Sequence, residues 1–191
     1  MLLGIDEAGR GCLAGALFVV GVACPDNLAS NFCKQGLKES KQLSRAKRFS
    51  WAQKIQEHPG IQSVVVSKSA QEIDAKGLSL CMQEAIKKII LSLSEILNVC
   101  IDGNTLFKLH FHHLKHFQAV VKGDDKIPQI AMASILAKAH KDREMLELDK
   151  LYPAYGFAKN CGYGTRVHAV ALAKHGYTPI HRRSFKLKAC K

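Results

Sequence analysis

Apolar residues fall along this chain in short blocks that switch between two periods. Residues 1–5 and 15–24 (GALFVVGVAC) are nearly unbroken apolar runs and read as strands. The short link between them predicts an antiparallel pair. Pro25-Asp26-Asn27 reads as a turn, and Ser44 as the N-cap of a helix reaching about His58, stopped by Pro59-Gly60. Residues 61–67 (IQSVVVS) are a β-branched strand. Between residues 70 and 97 a helical period takes over, with Ile73, Met82, Ile86, Ile89, Ile90 and Leu93 among its apolar positions, and Gly77 divides a short helix from a long one. Residues 99–102 and 117–122 return to strand. Pro128 opens a long helix to about Leu151, whose Ala131, Ala133, Ser134, Ala137 and Ala139 permit close packing on a sheet. Thr165 is the N-cap of a last helix closing at Gly176. The order β-β-α-β-α-β-β-α-α predicts an α/β domain with a mixed sheet flanked by helices.

Composition leaves that picture unchanged but narrows the partner. The 191 residues are enough for one well-cored domain, and 47% apolar content is that of a folded protein. No apolar run approaches the ~20 residues of a membrane span, and no basic n-region precedes an apolar h-region. A cytoplasmic protein without membrane contact is expected. The seven cysteines are scattered with no CxxC pair, which argues against a zinc site and for reduced, buried thiols. His110, His112 and His113 lack metal-binding helical spacing and read as loop. Charge is the stronger signal: 28 Lys and Arg against 16 Asp and Glu give +12, and from Lys150 onward there are nine basic residues and no acid. An acid-free, basic third of a domain is the electrostatic footprint of a polyanion, most often nucleic acid.

Candidate chemistry gathers where strands end. Asp6 and Glu7 close the first strand, Asp102 closes another, and Asp124 follows a third. Functional groups in open α/β sheets collect at such ends, and a few carboxylates suit hard divalent cations. Two such ions can activate water and stabilise the leaving oxygen of a phosphodiester. Adjacent strand residues point to opposite faces, so Asp6 and Glu7 share a site only if the strand bends there. Gly9-Arg10-Gly11 follows at once, and a glycine-flanked arginine suits a phosphate or a sugar hydroxyl.

Several segments resemble one family. GIDEAGRG at 4–11, LKESKQLS at 37–44, IDGN at 101–104, KGD at 122–124, AMASILAK at 131–138 with Asp142-Arg143, and YGF at 155–157 through GYGT at 162–165 to HRRSF at 181–185 are similar, in order, to ribonuclease HII. The resemblance implies an RNase H-like fold: a catalytic core over 1–150 and a basic C-terminal helical segment over 151–191 packed on it. It implies cleavage of the RNA strand of RNA/DNA hybrids. It further implies incision 5′ to single ribonucleotides in duplex DNA, leaving 3′-hydroxyl and 5′-phosphate ends, with Mn²⁺ or Mg²⁺. Asp6, Glu7, Asp102 and Asp124 match the catalytic, metal-holding carboxylates. Gly9, Arg10 and Gly11 match the loop that recognises the ribose 2′-hydroxyl, and Tyr163 matches the tyrosine that stacks on the following sugar. Ser40, Lys41 and the region of Lys138 would hold phosphates. Cys12 stands where the family commonly has proline, Glu39 where it has aspartate, and Met132, His140 and Asn160-Cys161 are further departures.

Asp142 lies four residues after Lys138, the spacing of a helical ion pair, and is assigned there rather than to catalysis. Two other readings compete: an RNase H-like metal nuclease without junction specificity, and a non-catalytic basic nucleic-acid-binding domain. The second has no use for three acid-ended strands, which would repel its ligand. No self-association surface is legible, so a monomer is expected.

Overall fold

A computed structural model describes residues 1–37 and 43–186. A mixed sheet forms the centre, from β1 (Leu2–Ala8), β2 (Leu17–Cys24), β3 (Gln62–Lys68), β4 (Asn98–Asp102) and β5 (His116–Val120), in the order β3-β2-β1-β4-β5. The apolar blocks at the N-terminus pair antiparallel as expected, and β3 continues that pattern on the far side of β2. On the other side β1, β4 and β5 run parallel.

Strand alternation divides the apolar residues between two layers. Leu3, Ile5, Leu17, Val19 and Ala23 pack with Ile86, Ile89 and Ile90 of α4 (Leu78–Ser92), which follows α3 (Ala70–Lys76) across Gly77. Val20, Val22 and Cys24 face the opposite way, onto α1 (Asp26–Lys34), α2 (Arg45–Glu57) and α6 (Pro128–Leu151). Ser44 and Thr165 accept backbone N–H bonds from Lys47 and His168, so both expected N-caps form, the second at α8 (Arg166–His175). The small residues of α6 are buried, and the helix lies so close to β1 that a Cβ on Gly4 would sit 2.4 Å from the backbone carbon of Gln129. Cys12, Cys24, Cys81 and Cys100 are buried free thiols.

Four boundaries differ from the sequence reading. Pro25-Asp26-Asn27 does not turn the chain. Pro25 caps α1, whose Ala29 and Phe32 are buried. β1 runs on to Ala8, because Asp6, Glu7 and Ala8 pair with Val20, Val19 and Phe18. β5 ends at Val120, and Lys122 adopts φ 54°, starting the single-turn α5 (Gly123–Lys126). α4 stops at Ser92, with residues 93–97 outside it.

Past α6 a 3-10 turn (Pro153–Tyr155), α7 (Phe157–Asn160) and α8 build a third cluster, in which Tyr155, Phe157, Ala171 and Leu172 pack on Leu13, Ala14 and Met145. This cluster fastens the C-terminal segment to the loop after β1. No helix among the described residues is long and apolar enough to cross a membrane.

Candidate active site

Parallel pairing of β1 with β4 runs from Leu2 to Ile5, opposite Asn98 to Ile101, so the next residues, Asp6 and Asp102, leave the ladder side by side. Asp124 approaches from α5. The carboxylate oxygens of Asp6, Asp102 and Asp124 lie within 4.8 Å of one another. Backbone donors fix two of them: Glu7 N–H donates to Asp6 Oδ1 at 2.7 Å, and Gly123 N–H to Asp102 Oδ1 at 2.7 Å. Gly123 is tightly packed: a Cβ there would meet Ile130 Cδ1 at 2.7 Å and Asp102 Oδ1 at 3.3 Å. Ser134 of α6 hydrogen-bonds the Asp6 side chain. Burial, reinforced by the neighbouring Glu7, pushes the Asp6 carboxyl well above the usual carboxylate range. An all-oxygen donor set of crowded, partly desolvated acids fits a hard divalent cation, which would relieve the repulsion.

Glu7 does not join this trio. The strand stays regular through Glu7, so its side chain leaves on the face opposite Asp6, and its Oε1 takes an ion pair from Arg10 Nη1 at 3.4 Å. Burial raises its carboxyl while Arg10 opposes the rise. Asp6 and Glu7 nevertheless border one cleft of about 270 Å³, shared with Asp102, Asp124, Lys138 and Tyr163.

The Gly9-Arg10-Gly11 turn forms the next wall. Gly9 has φ 86°, a conformation side chains resist, and a Cβ there would lie 2.7 Å from Ala16 O. A Cβ on Gly11 would meet nothing within 4 Å, so its backbone is open to the cleft rather than packed. The Arg10 guanidinium lies over the Phe107 ring at 5.5 Å. Across the cleft Tyr163 is 45% exposed, with Lys138 Nζ 6.0 Å from its ring. The two walls are hydrogen-bonded together: Gly162 O accepts from Leu13 N–H at 2.8 Å and Ala14 N–H at 3.3 Å.

A ribonuclease HII sequence profile matches residues 3–188. The chain belongs to the ribonuclease HII family. It is 55% identical to the ribonuclease HII of Helicobacter pylori (strain P12) over 191 residues, covering all of this chain and 93% of that one. Its fold superposes on the PCNA–RNase HII complex of Archaeoglobus fulgidus with TM-score 0.80 at 29% identity, covering 100% of this chain and 98% of that one. On the ribonuclease H2 of Pyrococcus horikoshii the TM-score is 0.78 at 25% identity, with 97% and 94% covered. The chain is therefore an RNase H-type hydrolase of the RNA strand of RNA/DNA hybrids, and the expected mixed-sheet fold is the one observed.

The structure brings Asp6, Asp102, Asp124, Gly9, Arg10, Gly11 and Tyr163 to one cleft, with Glu7 at its edge. Ser40 and Lys41 lie outside the described residues. Asp142 ion-pairs with Lys138 at 3.1 Å, as its spacing suggested, and also with Arg48 at 3.5 Å. Among the described residues, His110, His112 and His113 join no group able to hold a metal. Sequence reasoning missed Lys141 and Arg182, both fully buried. Lys141 Nζ donates to Ala14 O at 3.1 Å and Ala16 O at 3.0 Å and pairs with Glu144 at 2.8 Å. Glu144 in turn accepts from Ala16 N–H at 2.8 Å. These residues fasten the turn after β1 from α6. Lys141 lies three residues after Lys138, and nothing in that spacing marks it as buried.

Proposed function

We propose that this protein incises duplex DNA 5′ to an embedded ribonucleotide, by metal-dependent hydrolysis that leaves a 3′-hydroxyl and a 5′-phosphate. The observation that carries this reading is the cleft itself, where three acids stand within reach of one another beside an open glycine turn and an exposed tyrosine. Only the 2′-hydroxyl tells RNA from DNA at a single nucleotide, and the unobstructed backbone at Gly11 can meet a sugar edge at hydrogen-bond distance.

In this reading Asp6, Asp102 and Asp124 hold Mn²⁺ or Mg²⁺, with Glu7 as the fourth catalytic carboxylate. When bound, such ions lower the pKa of water and neutralise charge on the departing oxygen. The protein's own groups do the rest. Gly123 N–H and Glu7 N–H keep the acceptor oxygens of Asp102 and Asp6 aimed. Arg10 turns from Glu7 to the substrate, which releases the Glu7 carboxylate into the site. Gly9, Arg10 and Gly11 contact the ribose hydroxyl, Tyr163 stacks on the next sugar, and Lys138, Ser40 and Lys41 contact phosphates. We place the enzyme in the cytoplasm as a monomer.

The test is a labelled DNA duplex carrying one ribonucleotide, incubated with Mn²⁺ or Mg²⁺. Incision at the 5′ side of the ribonucleotide is expected. Cleavage of long hybrids with the single-ribonucleotide duplex left intact would sink the junction reading while leaving the family assignment standing.

A further inference from the structure

Two adjacent residues of the C-terminal segment, His181 and Arg182, are at most 2% exposed and reach different walls of the cleft. Arg182 donates through Nε at 3.1 Å and Nη2 at 2.9 Å to Gly15 O, and through Nη1 at 3.1 Å to Arg10 O. Its backbone N–H bonds Leu13 O at 2.8 Å. The guanidinium thus grips both ends of the loop that contains Gly9-Arg10-Gly11.

His181 reaches the other wall through a second histidine. Thr178 N–H donates to His181 Nδ1 at 3.0 Å, so the proton of the neutral ring sits on Nε2. That Nε2 faces His168 Nε2 at 3.0 Å, which then accepts and carries its own proton on Nδ1. His168 Nδ1 in turn donates to Tyr163 O at 2.9 Å. One arrangement of protons satisfies every link, and it ends on the backbone of the tyrosine. The rings are otherwise surrounded by Tyr155, Phe157 and Tyr177, an apolar setting in which packing alone could have filled the space. Buried polar groups are costly unless hydrogen-bonded, and a fully satisfied network such as this one fixes geometry.

We propose that His181 and Arg182 are positioning residues for sugar discrimination: one holds Tyr163 through His168, the other holds Arg10, and together they set the separation of the two contacts. This rests on the reading of residues 9–11 and Tyr163 as sugar contacts. Neither residue touches the substrate or the acids, so their loss changes substrate selection rather than hydrolysis itself.

The experiment uses the full chain with Mn²⁺. KM and kcat are measured on a duplex with one ribonucleotide, and Ki for the same duplex in all-DNA form; the ratio Ki/KM reports discrimination. For His181→Leu and Arg182→Lys, Ki/KM is expected to fall about tenfold, the scale of one well-placed hydrogen bond, with kcat changed far less. His181→Gln, whose amide can still donate to His168, recovers the ratio. Arg182→Lys keeps the buried charge but loses the fork that reaches Gly15 O and Arg10 O together, so it decides the matter if His181→Leu does not fold. A wild-type ratio in the folded variants overturns the proposal, as does a loss that His181→Gln fails to recover. A wild-type enzyme with Ki/KM near one, or a Tyr163→Ala variant that keeps the wild-type ratio, would instead refute the underlying reading of the cleft.

Discussion

At the scale of single residues, Asp6 is where folding and chemistry oppose each other. Its carboxyl is raised by burial, so the folded chain keeps a proton that the unfolded chain releases. The sign follows: as pH rises above the ordinary value of 3.8, the unfolded chain ionises while the buried carboxyl stays protonated, and the metal-free protein loses stability until that carboxyl ionises in turn. A divalent cation offsets that charge. Mn²⁺ is therefore expected to raise the melting temperature more at about pH 8 than at about pH 5, because ligands must be deprotonated to bind. An equal shift at both would mean that Asp6 is not a ligand. Asp6→Asn should remove the shift and lower turnover by roughly 10³-fold, as when an electrostatic stabiliser is lost, while duplex binding remains. Asp6 and Asp102 were legible because a carboxylate at the end of an apolar strand is chemically out of place, and Asp124 because it follows one closely, although it sits on α5 rather than on β5. The position of Glu7 was only half legible. Strand parity separates it from Asp6, but which partner would claim it depends on Arg10, three residues on, folding back.

At the scale of elements, α6 carries the site. It supplies Ser134 to the acids, Lys138 to the tyrosine, and Lys141 and Glu144 to the turn. The run of small residues announced close packing, and Gly4 is its counterpart on β1. Gly4→Ala should cost about 1–3 kcal/mol by overpacking, read as a lower urea midpoint, because the obstructing atoms are backbone. What the pattern hid was α6's polar interior, since a lysine on a helix reads as solvated until the turn after β1 closes over it. The same holds for the histidine pair on α8 and the C-terminal segment. Burial and the neighbouring His168 lower the His181 ring to about 4, and burial lowers His168. A histidine held neutral in the fold contributes stability that is complete above its ordinary 6.5 and is lost as pH falls towards the folded value. The urea midpoint of the wild type should thus drop more steeply between those two values than that of a His168→Gln, His181→Gln double variant. Parallel curves would show that the pair is not held neutral.

At the scale of the whole molecule, the fold concentrates acid in one cleft and base around it. The imbalance is already present in the composition, +12 overall, with nine basic residues and no acid from Lys150 on. What composition could not show is which of those charges face outward beside the cleft. Lys159 and Arg166 are exposed on the segment that presents Tyr163, whereas Arg182, of the same basic third, is buried as a brace. In the proposed reading, electrostatic attraction and sugar recognition fall to different residues and should separate by salt. Each phosphate neutralised contributes about 0.9 to the slope of log K against log salt on a DNA duplex. Replacing Lys159 and Arg166 together by glutamine should lower that slope by roughly 2 and weaken ribonucleotide-bearing and all-DNA duplexes alike. Tyr163→Ala should do the opposite, leaving the slope intact while the preference for the ribonucleotide falls. Binding of both duplexes measured across a salt series distinguishes the two. An unchanged slope in the double variant would move the phosphate-binding face away from α7 and α8, and the basic surface beside the cleft would then be solvated charge rather than a landing site for nucleic acid.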